Sequence, residues 1–246
     1  MNQTHMTRMK SIVVLALAMG SVSLTADELP ETVISANRTA ELMKNTPYSV
    51  AVIGADELLD GAIRTLPEAL KNTPGVMIQK TAHGHGSPYI RGFTGRQNLL
   101  LVDGIRINNS TFRAGPVQYW NTVDSQVIDR LELVKGQGSV LYGSDAIGGT
   151  LNTLTRSSDF RDRSGGWFSD NMMSYRFDTN SGSHVGRLES AFGQGGQWGV
   201  LLGITSKDFG DIKDSAVGRM KNTGYDELDM DFRFDYAVSA DTTMTL

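Results

Sequence analysis

The sequence predicts two architectures in tandem, an α+β domain over residues 41–156 and antiparallel strands of transmembrane β-barrel type over residues 157–246. Three observations carry this expectation. Short apolar runs broken by Gly, Pro and Asn/Asp fill the first region, a strict apolar/polar alternation ends the second, and an export-type segment precedes both.

Composition narrows the classes. With 39% apolar and 20% charged residues, the 246-residue chain suits neither a disordered polymer nor a bundle of membrane helices. Its 23 basic and 27 acidic residues leave a net charge of −4, which provides no basic footprint for nucleic acid. Cysteine is absent, so disulfides, thiolate zinc sites and cysteine nucleophiles are excluded. The 27 glycines point to tight turns rather than long helices.

The elements follow in order. Arg8 and Lys10 precede a short apolar run (IVVLALAM, 12–19), and Ser21, Ser23 and Ala26 supply small exit residues. That describes a signal peptide over 1–26, since the run falls well short of the roughly 20 residues a spanning helix needs. Thr65, Pro67 and the helix formers after them start a helix that ends near Asn72, because Thr73 precedes Pro74. Val76, Ile78 and Lys80 continue as a strand. Residues 99–107 form a hairpin about Asp103-Gly104, a pair that tolerates the positive φ of a primed turn. Residues 123–130 read as helix and 131–134 as strand. In the stretch 135–156, Gly136 and Gly138 follow a strand, but Leu141 stands where a dinucleotide fingerprint needs its third Gly. Tight turns between closely packed elements are the plainer reading, and no catalytic residue, metal site or cofactor is expected.

At this point the chain resembles the plug domain of TonB-dependent outer-membrane receptors. The resemblance rests on Tyr89-Ile90-Arg91-Gly92-Phe93, on Leu100-Leu101-Val102-Asp103-Gly104, on Ile128 to Gly136 with Arg130, Glu132 and Lys135, and on Ser139 to Gly149 with Tyr142, Gly143, Gly148 and Gly149. Residues 49–53 and 66–79 match the family's earlier plug segment. The resemblance implies a plug inside a 22-stranded barrel, the plugged class of outer-membrane transporter. It also implies a monomeric, non-enzymatic receptor in the outer-membrane lipid of a Gram-negative-type bacterium, energised by TonB and its inner-membrane complex. Within residues 27–40, Glu31, Thr32, Val33, Ile34, Ser35 and Ala36 resemble the TonB box, a short flexible segment captured by that partner. Thr, Val and Ile favour extension, and an extended segment pairs edge-on with a partner sheet. The few residues before it leave no room for an extra signalling domain.

The tail supports a membrane barrel. Leu228, Met230, Phe232, Phe234 and Tyr236 alternate with Asp229, Asp231, Arg233 and Asp235, and weaker alternation surrounds Met173, Tyr175, Phe177, Leu188, Phe192, Trp198, Val200, Leu202 and Ile204. The short connections at 193–197 and 239–242 suit the periplasmic side, and the long one at 206–224 the outside. Four or five strands cannot close around a plug, so the sequence reads as an N-terminal fragment of a truncated barrel.

Two plug loops, 81–88 and 108–120, are expected to face outward. His83 and His85 could ligate iron or haem. The second loop lacks the His expected for haem but offers Arg113, Tyr119 and Trp120 to an anionic chelate. The expected cargo is a ferric siderophore or similar iron chelate, with haem or a haem protein and then cobalamin as alternatives. A passive porin-like channel and a secreted β-rich binding protein are the alternatives from other classes.

Overall fold

The computed structural model describes residues 32–33, 35–111, 115–116 and 119–246. The export segment at 1–26, together with Glu31, Ile34 and Arg113, lies outside them. In chain order the first domain comprises β1 (Thr32–Val33), β2 (Glu41–Leu42), β3 (Ser49–Gly54), α1 (Ala55–Asp60), α2 (Leu66–Ala69), β4 (Val76–Ala82), β5 (His85–Ile90), β6 (Asn98–Val102), β7 (Ile105–Arg106), β8 (Ile128–Lys135), α3 (Ser139–Tyr142) and β9 (Gly149–Thr155). Its main sheet runs β3-β8-β9-β6-β7, with β6 and β9 parallel.

Period-two alternation divides β8 between two cores. Leu131 and Leu133 join Ile53, Leu66, Ile90, Trp120 and Leu151 on one face. Val134, with Val33 and Ala36, makes a smaller cluster. The Asp103-Gly104 turn has φ values of 48° and 80°, as the hairpin expectation requires. The helix at Leu66 forms, although only Leu66–Ala69 is α-helical; single-turn hydrogen bonds carry it to Thr73, whose N–H donates to Leu70.

One element differs. Residues 123–130 are not a helix: a 3₁₀ turn spans Ser125–Val127 and β8 begins at Ile128. The register of β8 shifts between Ile128 and Arg130, so a bulge brings Ile128 and Leu131, three apart, into the same core. A bulged strand thereby imitates the i, i+3 spacing of a helix.

The second domain is a meander of β10 (Trp167–Asp178), β11 (Ser183–Gln194), β12 (Trp198–Phe209), then a minor hairpin of β13 (Lys213–Asp214) and β14 (Gly218–Arg219), then β15 (Tyr225–Ser239) and β16 (Thr242–Thr245). All neighbours in the order β10-β11-β12-β15-β16 are antiparallel. The alternation sorts as expected. Met173, Tyr175, Phe177, Leu188, Leu202, Ile204, Leu228, Met230 and Phe232 are exposed on one face, while Arg187, Thr205, Lys207 and Asp235 are buried on the other against the first domain. Trp167, Phe192, Trp198 and Phe234 form a chain of ring contacts at one end of the exposed face, with centroids 5.9–6.4 Å apart, in the manner of an interfacial aromatic girdle. The long connection lies between Phe209 and Tyr225, and the described sheet ends at β10 and β16 without closing. Among the described residues no helix is long and apolar enough to cross a membrane.

Candidate functional site

The described residues of the proposed coupling segment are docked on the first domain. Val33, Ser35 and Ala36 are buried, and Val33 pairs with Glu41 across β1 and β2. Ser35 is held at both backbone groups: its N–H donates to Glu132 Oε2 at 2.8 Å, and the Tyr142 hydroxyl donates to its carbonyl at 2.9 Å. Glu132 is fully buried and also accepts from Arg130 Nε at 3.0 Å. Burial raises the Tyr142 pKa above its ordinary value despite nearby Arg38, so the hydroxyl stays a donor. Only Thr32 of the segment is exposed among the described residues.

The family motifs do structural work at the back of this grip. The Asp103 carboxylate accepts from Thr155 N at 2.9 Å and Thr155 Oγ1 at 2.6 Å, while Gly104 N–H donates to Asn152 Oδ1 at 3.1 Å. Arg91 itself has a positive φ of 53°, and its guanidinium lies against Gly136, where a Cβ would meet Nη1 at 3.0 Å. Gly92 sits in a turn, Gly143 caps α3 with a φ of 79°, and Gly148 and Gly149 allow a close approach to Ile90, where a Cβ on either would stand 3.0 Å from that residue.

At the other end lies a cavity of about 1000 Å³ between the β4–β5 hairpin, Tyr119 and the Met220–Asp229 stretch. Here the loop expected at 81–88 is a tight hairpin turning at His83-Gly84. His83 is only 3% exposed, 5.9 Å from the Phe209 ring and 6.2 Å from Tyr225. It is not solvated; burial first, then Arg64 and Lys80, lower its pKa and keep the imidazole neutral. His85 and Tyr119 are exposed and line the cavity. Trp120 does not: it is fully buried in the core and donates from Nε1 to Thr153 Oγ1 at 2.8 Å. Among the described residues, no cluster of three or more His, Asp or Glu has metal-binding geometry.

Several cavity residues were not among the sequence-predicted site residues, among them Tyr225, Asp226, Glu227 and Asp229. They sit at the start of β15, and two of them meet a buried cation of the neighbouring strand. Lys207 Nζ lies 2.9 Å from Asp229, 3.3 Å from Glu227 and 2.9 Å from Asp124 of the first domain. Asp124 also lies 3.6 Å from Arg187, which is answered by Glu189 at 2.6 Å and Asp231 at 2.7 Å. Gly203, paired with both Glu189 and Asp231, leaves room for that guanidinium; a Cβ there would collide with it. Further down the same seam, Arg156 meets Glu189 at 3.4 Å and Arg233 donates to Thr155 Oγ1 at 3.3 Å. Arg64 reaches Asp178 at 3.3 Å. The first domain is thus ionically bound to the inner face of the strands.

Comparison with known proteins agrees with this arrangement. Residues 43–150 match the TonB-dependent receptor plug domain family. The vitamin B12 transporter BtuB of Vibrio vulnificus (strain CMCP6) is 34% identical over 229 residues, covering 88% of this chain and 35% of that protein. An iron-regulated outer membrane virulence protein of Vibrio cholerae is 36% identical over 148 residues, 56% of this chain and 22% of that protein. Among solved structures, the copper transporter OprC superposes with a TM-score of 0.66 at 20% identity, over 80% of this chain and 29% of that one. The pyoverdine receptor FpvA of Pseudomonas aeruginosa PAO1 does so at 0.64 and 19%, over 90% and 30%. The chain spans about a third or less of the length of these curated relatives.

Proposed function

We propose a function on the premise that this chain belongs to the TonB-dependent receptor family: it supplies the plug and first barrel strands of an outer-membrane receptor that imports a bulky metal chelate by energy-coupled transport. In this reading residues 1–26 export the chain, 27–40 carry the coupling segment for TonB, 41–156 are the plug, and 157–246 lie in outer-membrane lipid as part of a monomeric barrel. The observation that supports it is the plug's position between the segment held at Ser35 and the cavity at Tyr119 and Tyr225. A plug pinned to the wall by buried ion pairs is a closed gate, which calls for mechanical work rather than diffusion.

Cobalamin is the first cargo reading, because the relative sharing 34% identity over 88% of this chain is a vitamin B12 transporter. A ferric siderophore is the second, supported by the iron-regulated relative. Arg113, Tyr119, His83 and His85 remain proposed contacts, and Trp120 is withdrawn from that set.

The test is uptake by a strain whose only receptor of this class is the full-length protein. Cyanocobalamin accumulation or growth on a ferric siderophore should require an energised inner membrane. Val33→Pro should abolish uptake while surface binding persists, since proline removes a backbone donor from the strand offered to TonB. Uptake by the proline variant at the wild-type rate would overturn the coupling assignment.

A further inference from the structure

The cavity beside the β4–β5 hairpin is acceptor-rich. Its described lining includes the carboxylates of Asp226, Glu227 and Asp229 and contains no Lys or Arg. Lys207, on the neighbouring strand, is buried and shared among Asp124, Glu227 and Asp229, so three carboxylates answer one cation there. Arg187, which also faces Asp124, is answered by Glu189 and Asp231, and the two cations that act on His83, Arg64 and Lys80, are answered by Asp178 and Glu68.

A second, independent feature points to a ligand. His83 is 3% exposed and lines the cavity, yet its Nδ1 has no hydrogen-bond partner, and the Tyr225 hydroxyl beside it has none either. Buried polar atoms without partners are uncommon, because each forfeits the hydrogen bond it made to water. Turning either ring toward the cavity would offer its polar atom to an N–H or O–H group of a cargo.

We infer that this cavity recognises the donor-bearing face of a neutral or cationic cargo, through amide, hydroxyl or ammonium groups, and disfavours polyanionic chelates. The inference rests on the reading of the chain as a cargo receptor and refines its substrate class. It runs against the sequence expectation of an anion met by Arg113. Like charges crowded into a partly dehydrated site repel more strongly than in bulk water, so a polyanion meets a barrier that an amide-rich or ammonium-bearing cargo does not.

Three probes of different charge test it in the purified full-length receptor: cyanocobalamin (neutral, amide-rich), ferrioxamine B (a ferric trihydroxamate with an ammonium) and ferric enterobactin (a trianion). Titration calorimetry at low and high salt reads each affinity. The wild type should bind a neutral or cationic probe in preference to the trianion. Asp226→Asn, at an exposed cavity residue, should weaken ferrioxamine B, or the neutral probe through a lost acceptor, by about two- to fivefold at low salt and less at high salt. Asp226→Lys should improve the trianion's relative affinity. Tightest wild-type binding of ferric enterobactin, or affinities that ignore both substitutions, would overturn the inference. So would failure of all three probes; energised uptake of another compound would then leave the receptor reading standing.

Discussion

Neutralising Asp124 should loosen the plug from the wall by a small, bounded amount, and the geometry sets the bound. Asp124→Asn keeps the shape and the acceptor that caps Gln126 N–H at 3.0 Å, because Asn caps as well as Asp. What disappears is the charge facing Lys207 at 2.9 Å and Arg187 at 3.6 Å. Neither cation is stranded: Lys207 keeps Glu227 and Asp229, and Arg187 keeps Glu189 and Asp231. The loss is therefore that of one charge-assisted contact, about 1–2 kcal/mol, rather than the 3–5 kcal/mol of an orphaned buried charge. Lys207→Met is the opposite case, leaving three carboxylates without their shared ammonium. Glu227 and Asp229 side chains are 25% and 20% exposed and partly rehydrate, which places its cost near the lower end, about 3 kcal/mol. Amide exchange of residues 120–128 in the micellar full-length receptor reads both. Exchange should accelerate about 5- to 30-fold in Asp124→Asn and on the order of 100-fold in Lys207→Met. Equal effects of the two substitutions, or none from either, would refute the assignment of these charges as the plug's anchor.

The remaining predictions concern the two ends of the plug. With no native cysteine, Ser35→Cys gives a clean reporter: maleimide labelling should be slow in the parent, about 2- to 10-fold faster with Tyr142→Phe, and faster still with Glu132→Ala, which removes the side-chain acceptor of the Ser35 N–H; equal rates in all three would remove the grip. Because His83 folds with its pKa below 6.5, the folded state disfavours its protonation and the unfolded chain binds more protons as pH falls below that value. Protection factors across Val76–Ile90 should therefore be full above about pH 6.5, decline on acidification below it, and lose that dependence in His83→Gln; a His83→Gln profile identical to the parent would exclude the imidazole as its origin.

Much of the fold was legible because its signals are local. The Asp103-Gly104 hairpin needs only two residues with positive φ, and the wall strands need only a period of two, which Leu228 to Tyr236 display without interruption. The miss at residues 123–130 arose where a bulge changed the count, so that Ile128 and Leu131 faced one core at helical spacing. The docking of Val33, Ser35 and Ala36 was illegible for a different reason. The segment's β-forming residues suit any sheet edge, and nothing within it reveals that Glu132 and Tyr142, about a hundred residues away, hold Ser35.

The site was less legible, since it depends on pairings across the chain. Tyr119 and Trp120 are adjacent and both aromatic, yet one lines the cavity and the other fills the core, because one short 3₁₀ turn points them apart. Asp229 and Asp231 read as a hydrated inner row, and their partners became visible only through register: β12 sets Lys207 opposite Glu227 and Gly203 opposite Asp231. A usable signal was nevertheless present. Lys207 and Arg187 lie on inward rows, and a buried cation requires a nearby anion. Neither strand carrying them supplies enough: β11 offers Glu189, while on β12 Asp208 points the other way, with the exposed row. The missing counter-charges had to come from the next strand and from the plug. β15 supplies Glu227, Asp229 and Asp231. Asp124, beside the turn that carries Tyr119, then ties the cavity-lining segment of the plug to the strands that complete that cavity.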